Sequence, residues 1–158
     1  MQDRKCDVRH LPIGIWHNVH MGQAAKAVST GIPLMATLHM SLENVESGLS
    51  LSTLTNFVSA SGLRFKDIYD VVIPARTLKH RKARKEPLTS DESDKLARVA
   101  RVYDQAVRVF GDRENALHWL SEAKRRFEGR TPLQLLRTEY GSRLVEEMLG
   151  QIDHGIFA

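Results

Sequence analysis

The side chains that could do chemistry by type and spacing in this chain are its histidines and its single cysteine. His10, His17 and His20 form the closest histidine set, but no cysteine or carboxylate follows them at the spacing of a zinc site. Cys6 lacks the electropositive helical setting that activates a thiol as a nucleophile. The sequence also contains no glycine-rich phosphate loop and no G-x-S-x-G turn. We therefore predict a binding protein with no metal, no cofactor, no small-molecule substrate and no catalytic residue, which is not an enzyme.

Positive charge is concentrated in one short segment. Residues 74–86 hold six basic residues and one acidic residue, whereas the whole chain has a formal net charge of only +4. A localised basic stripe indicates a phosphate-bearing partner more strongly than a diffuse excess does. Pro74 suits the first turn of a helix that reads PARTLKHRKARK, and the preceding FKDIYDVVIP predicts a helix followed by a tight turn. This order is the layout of a helix-turn-helix unit.

In that layout the first residues of the second helix approach base edges, and the later ones meet phosphates. The predicted DNA-binding residues are therefore Arg76, Thr77, Lys79 and His80 towards the bases and Arg81, Lys82, Arg84 and Lys85 towards the phosphates. The competing interpretation is a solvated basic helix that continues into a linker. The lack of acidic partners at i,i+4 within the helix favours DNA. An alternative frame pairs a helix over Leu51 to Ser61 with the Phe65 helix, which moves the contacts to Arg64 and Lys66.

The elements that must position these residues are all helices. From about Leu34 onward apolar residues recur at spacings of three and four, and no strand of convincing length is present. We predict an all-α fold with a loosely ordered N-terminal arm over residues 1–33, a helix-turn-helix domain over 34–86 and a C-terminal helical domain over 87–158. Pro87 marks the boundary, because the following Thr89 to Glu92 forms a capping box that starts a long helix.

The length of the apolar runs and the number of cysteines indicate the cellular compartment of the protein. No stretch reaches the roughly 18 consecutive apolar residues of a membrane span, and residues 1–20 have no apolar run of signal-peptide length. A single cysteine cannot form an internal disulfide. The prediction is a cytoplasmic protein with no membrane partner.

The C-terminal end carries an unusual density of apolar side chains beside a glycine. Residues that suit insertion into the cleft of a partner protein are Leu149, Ile152, Asp153, Gly155, Ile156 and Phe157. Gly155 would permit a close backbone approach. The competing interpretation is that Leu149 and Ile152 are ordinary core and that the last two apolar residues pack back.

Taken in order, these motifs closely resemble the Xre/MbcA/ParS antitoxin family, the partners of RES-domain toxins. The resemblance spans roughly Leu42 to the C-terminus and is carried by RTLKHRK, by EPLTSDESDKLARVARVYDQAVRVFGDRENALHWL and by GRTPLQLLRTEYGSRLVEEMLGQIDHG. It implies a type II antitoxin whose N-terminal part binds DNA, often as a dimer, and represses its own operon. The C-terminal domain would bind the toxin and obstruct its active site. Many relatives have an arginine pair where this chain has His80 and Arg81, so base readout departs from the family pattern there.

The resemblance fixes the predicted partners. They are a RES-domain toxin, which consumes NAD⁺, and operator DNA, with the chain acting as a homodimer. The NAD⁺ chemistry then belongs to the toxin, and the toxin-binding residues are those of the C-terminal end. Two other interpretations stay open: a stand-alone helix-turn-helix transcription regulator whose C-terminal bundle only dimerises, and an interaction module whose basic helix never touches DNA.

Overall fold

A computed structural model describes Leu38 and residues 40–156. The described residues all lie within one compact unit that covers residues 32–158. The predicted N-terminal arm at 1–33, with its three histidines, lies outside the described residues, and so does Phe157. Nothing in the described part tests those predictions.

The described part of the chain is helical throughout and contains no strand, which confirms the all-α prediction. Its elements are α1 (Leu42–Ser47), α2 (Leu51–Ser61), α3 (Phe65–Tyr69), α4 (Ala75–Arg84), α5 (Ser90–Phe110), α6 (Arg113–Ser121), a 3₁₀ turn (Arg125–Phe127), α7 (Pro132–Leu135) and α8 (Glu139–Asp153). Helix α4 is the basic helix of the sequence analysis.

Local signals set the ends of the long helix α5. The Thr89 hydroxyl accepts a hydrogen bond from the Glu92 amide at 3.2 Å, and the Glu92 carboxylate accepts one from the Thr89 amide at 2.8 Å. This reciprocal pair is the predicted capping box, and it satisfies two amides that the first turn leaves without helical partners. At the other end Gly111 adopts φ 80°, a left-handed conformation that glycine reaches at little cost.

Helix α5 is the centre of the core. Its Leu96, Val99 and Val102 are completely buried, and it packs against α6, α8, α1 and α2. Because α8 packs directly on α5, α5 fixes where the C-terminal helix lies. Among the described helices, none is both long and apolar enough to cross a bilayer.

Several contacts join the two sides of the predicted boundary at Pro87. The Leu88 amide donates to the Leu49 carbonyl at 2.9 Å, and the Leu49 amide donates to the Ser93 hydroxyl at 2.8 Å. The Tyr103 hydroxyl reaches back to the Ser61 carbonyl at 3.1 Å. The division into domains at this residue stays a prediction, since the halves share a packed core.

Helix α8 is seated by a glycine. Gly141 lies in its first turn, and a Cβ built there would overlap the carbonyl oxygen of Leu135 at the end of α7. The Thr138 hydroxyl caps this turn by accepting from the Gly141 amide at 3.1 Å. Only a residue without a side chain allows α7 and α8 to approach this closely.

Candidate functional site

Helices α3 and α4 form a helix-turn-helix pair held by a buried turn. Val71, Val72 and Ile73 fill the turn with at most 4% exposure, and the Val72 amide donates to the Ile68 carbonyl at 2.8 Å. The basic helix starts one residue later than predicted, at Ala75, because Pro74 has an extended ψ of 144° and serves as the N-cap. Lys85 ends it in the left-handed conformation.

One apolar side chain attaches α4 to the protein. Leu78 is 3% exposed and belongs to the core. The polar side chains around it point away from the core: Thr77 is half-buried, and the exposed members are Arg76, Lys79, His80, Lys82, Arg84 and Lys85. Seven of the eight predicted DNA-binding residues therefore share one solvent-facing basic surface, which we call the α4 surface. The Lys82 ammonium lies 5.0 Å from the centre of the Phe65 ring, a cation–π contact within this surface.

Arg81, the eighth predicted residue, is engaged inside the protein. Its Nη1 donates to the Pro87 carbonyl at 3.1 Å, and its Nη2 donates to Glu92 Oε1 at 3.4 Å. Its Nε lies 3.1 Å from Glu92 Oε2 without the alignment of a hydrogen bond. The side chains of Arg81 and Glu92 are only 18% and 11% exposed. We interpret Arg81 as a link between α4 and the capping box of α5.

The acidic partners of the basic helix come from outside it. Glu86 approaches Arg81 at 3.8 Å and Arg84 at 3.7 Å, while Glu92 lies on the next helix. Neither glutamate is part of the basic helix, so the i,i+4 spacing within that helix does not reveal them. In the alternative frame, Arg64 is held by Asp67 in a two-pronged contact at 3.0 and 3.1 Å. That hydrogen bond and the carboxylate charge raise the pKa of Arg64.

The predicted toxin-binding residues at the C-terminal end separate by burial. Leu149 is completely buried in the core, so the prediction that it contacts a partner is corrected: its side chain has no surface left to offer. Ile152 is half-buried, Asp153 and Gly155 are exposed, and Ile156 is 60% exposed. Gly155 adopts φ 67° and has open space around its Cα. The last turn of α8 and the residues after it therefore expose Asp153, Gly155 and Ile156 to solvent, with Ile152 partly exposed beside them.

A groove that the sequence did not reveal lies beside the start of α4. Its described lining comes from α3, the turn before α4 and the segment around α7, and it has a volume of about 870 Å³. Lys66, Arg130 and Arg137 are among the lining residues. These residues are far apart in the chain, so no local motif could have grouped them.

Two protein families match this chain in adjacent segments. Residues 40–101 match the antitoxin Xre-like helix-turn-helix domain, and residues 105–155 match the antitoxin Xre/MbcA/ParS C-terminal toxin-binding domain. The α4 surface lies within the first segment, and α8 lies within the second.

Three curated relatives of this chain are named antitoxin Xre. The chain is 52% identical over 86 residues to antitoxin Xre of Pseudomonas putida, which covers 54% of each protein. It is 38% identical over 87 residues to antitoxin Xre of Yersinia enterocolitica, covering 54% of this chain and 59% of that protein. The chain thus spans little more than half the length of these two relatives. A longer match, 32% identical over 130 residues, joins it to antitoxin Xre of Photorhabdus laumondii and covers 81% of this chain and 87% of that protein.

Proposed function

Because the chain belongs to the Xre antitoxin family, we propose that it neutralises a toxin protein by binding it and that it binds DNA through α4. The relatives are named antitoxins, in line with the prediction that the chain is not an enzyme. The observation that carries the proposal is the adjacency of two units on one core. One is the α4 surface, and the other is a C-terminal segment that matches a toxin-binding domain.

The finer part of the proposal concerns the toxin. The chain is the antitoxin of a type II system, its partner is a RES-domain toxin that degrades NAD⁺, and neutralisation blocks the active site of that toxin. The exposed end after α8 supports a blocking role, because Gly155 is exposed and the apolar side chain of Ile156 is 60% exposed. Apolar side chains presented in this way bind best in a partner's cleft, where they leave water.

The DNA part of the proposal is autorepression. Six of the predicted DNA-binding side chains are exposed around the buried anchor Leu78, so the solvent-facing side of α4 is open to a partner; they are Arg76, Lys79, His80, Lys82, Arg84 and Lys85. An α-helix fits the major groove of B-DNA, and lysine and arginine neutralise its phosphates. The chain binds its operator as a homodimer, which places two copies of α4 on half-sites about 34 Å apart or a multiple of that distance.

Co-expression tests the toxin part directly. The chain is produced with the protein encoded by the neighbouring open reading frame, and growth and co-purification are measured. We expect the neighbour alone to stop growth and deplete cellular NAD⁺, and the pair to grow and purify as a complex. A neighbour that is harmless alone, or that never co-purifies, would contradict the proposal and favour a stand-alone transcription regulator.

Duplex binding tests the DNA part. The variant Arg76→Ala/Lys79→Ala removes two exposed charges from the α4 surface. The matched control, Arg108→Ala/Arg143→Ala, removes two exposed charges from α5 and α8. On the DNA upstream of the chain's own operon, the first variant should bind much more weakly and the control nearly normally. Because Arg76 and Lys79 are predicted to face the bases, the first variant should also lose its preference for this DNA over a duplex of random sequence. Equal binding by both variants would refute α4 as the reader.

A further inference from the structure

The groove beside α4 joins both halves of the chain. One wall is formed by Lys66 of α3, Asp70 and the first residue of α4, Ala75. The other is formed by Arg130, which precedes α7, and Arg137, which lies in the turn between α7 and α8. We call this feature the basic groove. It is open to solvent and opens directly at the end of α4 that points into DNA in a helix-turn-helix complex.

Charge in the basic groove is unbalanced. Lys66, Arg130 and Arg137 are all exposed and cationic, against one carboxylate among the described lining residues, Asp70. Arg130 has an ion pair with Glu128 at 3.1 Å, but both side chains are mostly exposed, at 57% and 85%, so this pair restrains Arg130 only weakly. Within the described part of the chain, neither Lys66 nor Arg137 has an ion-pair partner. Two free cations and one weakly held cation therefore face the same opening.

The position of the basic groove beside the start of α4 favours DNA phosphates as its anionic partner. Ala75 lines the groove and is followed directly by Arg76, the first predicted base-contacting residue. A DNA strand that borders the major groove around α4 must pass the N-terminal end of that helix, and its phosphates carry one negative charge per nucleotide. A cationic opening at that point is continuous with the α4 surface. An acidic protein segment would match the charge but not this continuity.

We propose that Arg137 and Lys66 contact the phosphate backbone of bound DNA, so that the C-terminal half of the chain forms part of the DNA interface. This inference rests on the proposed DNA binding by α4. It assigns to the turn between α7 and α8 a function besides toxin binding. Phosphate contacts of this kind add affinity and fix orientation, but they carry no sequence preference.

The experiment measures binding of the full-length chain to two duplexes of equal length, one from the region upstream of its operon and one of random sequence. The variants are Arg137→Ala and Lys66→Ala, with Arg108→Ala as a charge-matched control outside the groove. A further variant, Asp70→Asn, removes the groove carboxylate and should bind DNA more tightly. Folding of each variant is checked by thermal unfolding, and toxin binding is measured in parallel by co-purification.

We expect Arg137→Ala and Lys66→Ala each to weaken binding to both duplexes about five- to tenfold at 0.1 M salt and to flatten the salt slope by about 0.9. Arg108→Ala should match the unmodified chain, and Asp70→Asn should bind about threefold more tightly. Toxin binding should stay unchanged in all four variants.

The failures are distinguishable. If Arg137→Ala and Lys66→Ala keep the normal affinity and slope while Arg76→Ala/Lys79→Ala loses binding, the groove inference is wrong and the proposed function stands. If Arg137→Ala weakens toxin binding and leaves DNA binding intact, the groove belongs to the protein partner and the inference is again wrong. If Arg76→Ala/Lys79→Ala binds normally, the proposed DNA binding itself fails.

Discussion

Single cationic side chains on α4 differ in what they contact, although the sequence places them in one run. Arg76, Lys79 and Lys85 extend into solvent, whereas Arg81 turns inward to Glu92 and the Pro87 carbonyl. A charge that already has protein partners costs stability when it is removed, while a solvated charge costs little. Residue-level substitutions can therefore separate structural cations from DNA-binding ones.

We expect Arg81→Ala to lower the free energy of unfolding by about 1–3 kcal/mol, because Glu92 and the Pro87 carbonyl lose their donors. Arg84→Ala is the control. Its side chain is 62% exposed and 3.7 Å from Glu86, so stability should change by less than about 0.5 kcal/mol while the salt slope of DNA binding flattens. Urea unfolding followed by circular dichroism measures the first effect. If Arg81→Ala has unchanged stability but weaker DNA binding, Arg81 contacts DNA and the structural interpretation is wrong.

Two glycines of α8 should respond to alanine in opposite directions. At Gly141 the added methyl group overlaps the Leu135 carbonyl, so Gly141→Ala should destabilise the fold by about 1–3 kcal/mol. At Gly150 the added carbon has no atom within 4 Å apart from the neighbouring residues and backbone of its own helix, and Gly150→Ala should stabilise the helix by about 0.5–1 kcal/mol. Thermal unfolding of both variants checks the pair. Equal shifts in melting temperature would mean that α7 and α8 can separate without cost.

At the scale of elements, the end of α8 stands out because it leaves the core. The described residues after Asp153 are held there by backbone hydrogen bonds to the last turns of α8. They run from the His154 amide to the Gly150 carbonyl at 3.0 Å, from the Gly155 amide to the Ile152 carbonyl at 3.1 Å and from the Ile156 amide to the Gln151 carbonyl at 2.9 Å. The helix itself is anchored by the buried Leu149 and Val145. We therefore expect the bundle to tolerate the removal of residues 155–158.

Deletion of residues 155–158 should leave the fold and DNA binding intact but release toxicity on co-expression with the toxin. The single change Ile156→Ala should weaken toxin binding by about 1–3 kcal/mol if this side chain is an interface anchor. Leu42→Ala, at another exposed apolar residue (75%), is the matched control and should bind normally. Growth and a pull-down are the measurements. Full protection by the truncated chain would show that neutralisation works through the helical surface instead.

At the scale of the whole molecule, the described part of the chain is held together by α5, which packs with helices on both sides of Pro87. Tyr103 shows this most clearly, since its ring meets Phe57 edge-on at 6.1 Å and its hydroxyl bonds to the Ser61 carbonyl. Burial raises the pKa of Tyr103 to about 12. The contact between α2 and α5 should therefore respond to alkaline pH.

The direction in which stability changes with pH follows from the pKa of Tyr103 in the folded and in the unfolded chain. An unfolded tyrosine ionises near pH 10, and the folded Tyr103 near pH 12, so its contribution to stability is complete below pH 10 and is lost as pH rises towards 12. Tyr103→Phe should cost about 1 kcal/mol at neutral pH, because the Ser61 carbonyl loses its donor. It should also lose stability less steeply than the unmodified chain between pH 10 and 12. Urea unfolding across this range measures both, with the exposed Tyr140→Phe as control. Parallel curves for Tyr103→Phe and the unmodified chain would contradict the burial argument.

Local chemistry explains what the sequence determined by itself. The capping box at Thr89 depends on residues only three positions apart, and both the box and the long helix that it starts appear as predicted. The basic run and its place after a tight turn also follow from sequence, since α4 is one continuous helix. The family resemblance rested on the same ordered motifs and was confirmed.

Only the tertiary structure decided which of these residues remain free to act. In the folded chain Arg81 of α4 pairs with Glu92 of α5, and Leu149 is buried in the core. Arg137 lines the same groove as the first residue of α4. Periodicity can place a side chain on the apolar face of a helix, but it cannot say whether the chain's own helices or a partner will cover that face. Burial and long-range charge pairing depend on how helices distant in sequence pack together, and this packing is not written in the spacing of neighbouring residues.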